Sequence, residues 1–392
     1  MASPVPDRPG LLVRDPYHYS EAALIIPPAL VRCLEFFDGQ HTELDLKALL
    51  VRITGDLEIG DVVAHLVDTL NTAGFLENEA FESMRDQRKR EFAETAKRPP
   101  VHAGGAYPNE VEPLRATLAR YMGVPSETAS GDGLIGIAAP HVSPEGGWQS
   151  YQAAYKVLTP AYKDRTFVVL GTSHYGEPER FGLTRKPFVT PLGETAVDLP
   201  LVDSLTAQAP DAILMEDYCH SIEHSIEFQV LFLQHIYGPD IHILPILCGP
   251  YAHSVYLGGK PEADENVARF LGALGEMAAR EGNRLFWVLG IDMAHMGRRY
   301  GDPFQARADQ GVMTEVTARD RSRIDAFSRG DAGGFWEQVQ ERRDVLKWCG
   351  SSPLYTFVKA LPEARGNLLR YEQWNIDEQS VVSFAGMSFS RQ

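Results

Sequence analysis

The residues of this chain best suited to hold a metal or move a proton are its 12 histidines and 4 cysteines. Residues 220–230 read HSIEHSIEFQV. The first five, His220 to His224, fit H-x-x-E-H, the inverted zinc-peptidase pattern. On a helix, His220 and His224 would stand one turn apart on one face and could grip one ion. Other candidates follow short apolar runs. LIGIAA (134–139) leads into APHVSP and His141, and TFVVLG (166–171) into GTSHYG and His174. LFWVLG (285–290) leads into IDMAHMG, which carries Asp292 and His295. Composition alone puts a histidine in a five-residue window roughly one time in seven. A lone loop histidine is usually structural. Three at the ends of such runs suit a transition metal, which takes two imidazoles and one more donor. KWCGSSPLYTF offers that donor in Cys349: Gly350 turns the chain, Ser351 or Ser352 can cap a helix, and Pro353 suits its first position. A thiol at a helix N-terminus beside a cation has a depressed pKa. Cys33, Cys219 and Cys248 read as small buried hydrophobes.

Positioning these groups falls to residues 101–392, where strand and helix patterns alternate. IHILPIL (241–247) and VVSFAG (381–386) complete five apolar runs that are continuous rather than alternating, as in strands buried on both faces. Helical patterns such as GWQSYQAAYKVL, EFQVLFLQHI and NVARFLGALGEMAAR lie between them. That order predicts an α/β fold with helices on both faces of a mostly parallel sheet. Ligands in such folds bind beyond the carboxyl ends of the strands, where the histidines fall.

Residues 1–80 read as a separate small module. PPALVRCLEFF, DGQHTELDLKALLVRI and EIGDVVAHLVDTLNTAGFLE predict three helices, the last with Val62, Val63, Leu66 and Leu70 at helical spacing. Gly74 stops it and FLEN begins an edge strand, a winged-helix-like order that is also similar to small PqqD-related peptide-binding modules. Acids such as Asp38, Glu43, Asp45, Asp56, Glu58, Asp61 and Asp68 outnumber the bases, which opposes phosphate binding. An interaction module is the expected role. Residues 81–100 read as a charged linker helix ended by Pro99-Pro100. The net charge of −16 argues against nucleic acid as a partner. No stretch approaches a membrane span, no apolar signal core is visible at the N-terminus, and no CxxC pair occurs. A cytoplasmic protein with reduced thiols is expected.

Taken in order, HAGGAYPNEVEPLRATL, APHVSPEGGWQSYQAAYKVL, LGTSHYGEPERFGLT, EHSIEFQV, ILPILCG, LGIDMAHMGRRYG and WCGSSPLYTFVKAL resemble the Memo family. In bacteria that family includes the AmmeMemoRadiSam system protein B. The likeness spans about residues 101–392. It implies the fold of class III extradiol dioxygenases, with a cysteine in place of their carboxylate ligand and iron or copper as the metal. Carried over residue by residue, His141, His174 and Cys349 match the metal ligands. Asp292 and His295 match the acid and the neighbouring histidine of the pocket, and His224 matches the signature histidine near the metal. The signature begins at Glu223, which leaves His220 outside it as an expected surface residue. Glu223 and Glu227 then read as an i, i+4 pair at a helix start.

These residues point to an iron(II)- or copper-dependent oxidoreductase acting on a small molecule or a peptide. In it His295, held by Asp292 or His224, moves a proton. The alternative is a non-catalytic binding or adaptor protein that uses the same pocket for a ligand or peptide. The resemblance also implies a partner linked to a radical-SAM system, reached through the N-terminal module.

Overall fold

The computed structural model describes residues 7–123 and 133–391. The chain forms two compact units, Met1–Glu94 and Thr95–Gln392.

The first unit opens with an antiparallel hairpin, β1 (Leu11–Arg14) and β2 (Ala23–Ile26). A 3-10 helix over Pro28–Phe36 follows, then α1 (Glu43–Thr54), α2 (Gly60–Thr72) and α3 (Glu79–Glu94). Thr42 and Asp45 close a reciprocal capping box on α1, and Gly55 ends it in the left-handed region. Ile26, Cys33, Leu46, Leu50, Val63, Leu66 and Leu70 form the core. Val62 is exposed, because its neighbour Val63 takes the inward position. FLEN forms no strand. Among the described residues of this unit, the hairpin precedes the helices and α3 follows them, which is not the strand order of a winged helix.

The second unit is built on an 11-stranded sheet. Its centre is four parallel strands in the order β3 (Leu134–Ala139), β10 (Leu285–Gly290), β4 (Thr166–Thr172) and β9 (His242–Cys248). Their side chains are almost all buried, which is why the runs are continuously apolar. Antiparallel flanks extend both sides. β13 (Ser380–Arg391) joins β3 and carries β11 (His295–Gly297) and the long β12 (Ala364–Asp377). β5 (Phe181–Leu183) joins β9 and pairs with β8 (Ile213–Met215), while β6 (Phe188–Thr190) and β7 (Gly193–Val197) pair beside β9. The helices are α4 (Val111–Met122), α5 (Pro144–Tyr155), α6 (Leu199–Gln208), α7 (Glu227–Tyr237), α8 (Ala252–Leu257), α9 (Glu265–Glu281), α10 (Val312–Ser328), α11 (Ala332–Gln340) and α12 (Ser351–Ala360). The fold is α/β with a large, mostly parallel mixed sheet. Arg98, expected in the linker, is fully buried within this second unit.

Register fixes the site. Gly290 of β10 lies opposite Ala139 of β3 on one side and Gly171 of β4 on the other, and Thr172 lies opposite Cys248. All four strands therefore end at one level, and the residues just beyond them share one edge.

Candidate metal centre

Beyond that edge, His141 follows β3 by two residues, His174 follows β4 by two, and Asp292 follows β10 by two. His224 arrives from the segment before α7. One ring nitrogen from each of His141, His174 and His224 lies within 4.8 Å of the others, a group able to hold a metal ion. The His141 ring stands edge-on to His174 (centroids 4.9 Å apart) and to His224 (5.2 Å), while His174 and His224 stack at 5.1 Å. Cys349, just ahead of α12, places Sγ 3.2 Å from His141 Nε2 and 3.6 Å from the Asp292 carbonyl.

What stands behind each ring fixes its tautomer. His141 Nδ1 lies 2.9 Å from the Gly290 carbonyl, so it carries the proton and Nε2 presents a lone pair to the centre. His174 Nδ1 lies 3.0 Å from a Glu223 carboxylate oxygen, and the His174 N–H donates to the other oxygen. Glu223 is thus a carboxylate behind His174, a role that its place in the sequence does not reveal. The near-repeat HSIEHSIE presents Glu223 and Glu227 as an i, i+4 pair at a helix start. In fact α7 begins only at Glu227, and residues 222–226 are irregular.

The same geometry removes the peptidase pattern. His220 is buried, not on the surface, and its Nε2 lies 3.0 Å from the Gly182 carbonyl. His220 and His224 share no helix face, because the 3-10 helix that carries His220 ends at Ser221 and α7 begins only at Glu227.

Electrostatics follow from burial. It lowers the pKa of His141 and of His224, with His174 adding to the effect in both. Burial works against charge on His174 too, yet Glu223 and then Cys349 hold its pKa well above the ordinary value. Burial raises the Cys349 thiol and outweighs His174, the neighbour that lowers it. Cys349 must therefore give up a proton to serve as a donor. Gly350, rather than either serine, is the N-cap of α12. Ser351 Oγ donates to the Trp348 carbonyl (2.7 Å), and Pro353 sits in the third helical position.

Asp292 and His295 do not pair as expected. Residues 291–294 form no helical turn, and His295 already belongs to β11. The Asp292 carboxylate accepts the His141 N–H (3.0 Å) and stands 3.6 Å from His141 Nε2. Burial pushes its pKa up to about 7 against those N–H bonds. His295 Nδ1 faces two carbonyls, Met293 (2.9 Å) and Lys347 (3.1 Å), so Nδ1 is protonated and Nε2 is the basic nitrogen. Burial lowers its pKa to about 4. A cavity of about 330 Å³ opens at this edge, lined by Ser173, His174, Tyr251, Trp336, Lys347 and Cys349 among others.

A family model described as Memo-like protein matches residues 98–388. The chain belongs to the Memo family. A MEMO1 family protein from Aquifex aeolicus is 26% identical over 382 residues, covering 96% of this chain and 95% of its own length. One from Thermococcus kodakarensis is 28% identical and covers 74% of this chain and 99% of its own. One from Pyrococcus furiosus is 30% identical, covering 64% and 82%. The Memo match begins at the buried Arg98 and takes in His141, His174, His224, Asp292, His295 and Cys349. Among the described residues, no helix is long and apolar enough to cross a membrane.

Proposed function

We propose that this Memo protein is a metal-dependent oxidoreductase holding iron(II) or copper through His141, His174 and Cys349, and acting on a small molecule or a peptide side chain. The observation that carries the proposal is the convergence of three imidazoles and one thiol beyond four parallel strands, beside a cavity. Imidazole and thiolate are soft enough to favour iron or copper over magnesium or calcium. Kinship with class III extradiol dioxygenases belongs to the same proposal, supported by the placement of the site at the carboxyl edge of the sheet.

A bound iron or copper ion supplies one-electron redox chemistry toward dioxygen. The chain does the rest. Gly290 and Glu223 orient His141 and His174, and Asp292 pins the backbone of His141. His224 faces the same centre as a third imidazole. His295 holds its proton on Nδ1 and leaves Nε2 free, the nitrogen that takes a proton from a bound substrate in this reading. Tyr251 and Trp336 give the cavity apolar walls, and Lys347 gives it a cation.

Oxygen uptake by anaerobically purified, iron- or copper-loaded protein tests the proposal against candidate phenols and peptides. Uptake that needs both metal and substrate supports it. Substrate affinity that is independent of metal, with no uptake, would favour the binding reading. Turnover with zinc alone would replace oxidation by hydrolysis.

A further inference from the structure

The metal reading leaves one motif unused, the stretch from Arg98 through HAGGAY to Tyr107. Glu223 and His224 lie in a segment with no helical ladder of its own. The carbonyls of His220, Ile222 and Glu223 are instead held from outside. Arg98 Nε donates to the His220 carbonyl (2.9 Å), and an Arg98 terminal nitrogen donates to the Glu223 carbonyl (2.7 Å). His102 Nε2 lies 3.0 Å from the Ile222 carbonyl, so that nitrogen carries the proton. The His102 ring also stands edge-on to His224, with centroids 5.5 Å apart.

The segment is tied back in return. Glu227, the first residue of α7, pairs with Arg98 and accepts the Tyr107 hydroxyl. It also accepts the N–H groups of Val101 (3.2 Å) and His102 (3.0 Å). Arg98 and Glu227 are both fully buried, and the Arg98 guanidinium also lies over the Phe188 ring at 5.2 Å. A fully buried arginine whose nitrogens bond three carbonyls, of His220, Glu223 and Pro99, and a carboxylate is a costly way to fill a core. It is well suited to fixing an irregular segment.

We infer that Arg98 and His102 are positioning residues for the metal centre: they set its metal affinity by holding the backbone that carries Glu223 and His224. The inference rests on the metal reading above. Loss of a group that orients a ligand histidine costs 10–100-fold in metal affinity, and this clamp acts one step further out through Glu223.

The test is titration of the metal-free full chain with cobalt(II), followed by its visible bands and by chelator competition. His102→Ala should bind cobalt about 10-fold more weakly with altered band positions, while His102→Gln, which keeps a donor for the Ile222 carbonyl, stays near the wild type. Arg98→Met should weaken binding further. Arg98→Lys should not restore it, because one ammonium cannot reach two carbonyls and Glu227 together. If the Arg98 variants fail to fold, the contrast between His102→Ala and His102→Gln still decides. Folded variants with wild-type affinity and spectrum, or a His102→Gln variant as weak as His102→Ala, would overturn the inference alone. A wild-type chain that binds no cobalt would overturn the metal reading and this inference with it.

Discussion

His141 and His174 reach the same centre, each with a different acceptor behind it, a main-chain carbonyl and a carboxylate. Each ring is held with one nitrogen facing inward, so replacement by alanine should reduce bound iron or copper to near background while circular dichroism stays unchanged. Cys349→Ala should do the same. Full metal retention by that variant would transfer the third position to His224, whose nitrogen already lies within 4.8 Å of the other two. His295 has a different role. His295→Ala should keep its metal and lose at least ~10²-fold in turnover, the usual scale of acid–base catalysis. Metal loss in that variant would make His295 a ligand, and an unchanged rate would remove proton transfer from its role. His141, His174, Asp292 and His295 stand out in the sequence because they follow apolar runs closely, and Cys349 because it precedes a helix-start pattern. Glu223 does not, since its function depends on a fold-back that brings residue 223 to residue 174. Asp292 does not hold His295, because residues 291–294 form no helical turn that would bring side chains three apart onto one face.

At the scale of elements, the segment bearing Glu223 and His224 lies across the ends of β4 and β10, and two glycines make room for it. A Cβ on Gly171 would sit 2.5 Å from Ser225 Oγ and 2.6 Å from Ile226 Cγ1. A Cβ on Gly290 would run into the Ser225 carbonyl and Gln229. Ser225 Oγ donates in turn to the Thr172 carbonyl (2.8 Å), which ties the segment to the strand end. Gly290→Ala should therefore destabilise the protein by about 1–3 kcal/mol, the range for overpacking, and should weaken metal binding as well. An equilibrium denaturation midpoint and metal content both equal to wild type would show that the segment yields freely. The four central parallel strands were legible as continuous apolar runs. β12 was not, because its half-exposed pattern, ARGNLLRYEQWNID, carries few apolar residues and depends on β13 for its partner. The N-terminal hairpin was hidden in the same way: LLVR and ALII are four residues each, too short to show a period.

Across the whole molecule, the two units divide at Glu94 and Thr95. A fragment spanning 95–392 should fold alone and carry the same metal content as the full chain. A cut at residue 100 should fail, because it removes the buried Arg98. Equal yield and melting temperature for the two fragments would contradict this. Acid should destabilise the second unit through buried neutral histidines. Burial lowers His220 to about 3 from an unfolded value near 6.5. Its contribution is complete above that unfolded value and is lost as pH falls toward 3, at up to about 1.4 kcal/mol per pH unit. His220→Gln, which retains a donor for the Gly182 carbonyl, should therefore lose about 2 kcal/mol less than wild type between pH 6.5 and 5 in denaturant titrations. Identical losses would mean that His220 does not couple to folding.

The most direct test of the metal centre is elemental analysis of anaerobically purified protein, paired with its visible spectrum. The account predicts about one equivalent of iron or copper per chain and a thiolate-to-metal charge-transfer band that disappears in Cys349→Ala. Protein that carries no transition metal and takes up none, or a band and metal content untouched by Cys349→Ala, would contradict it.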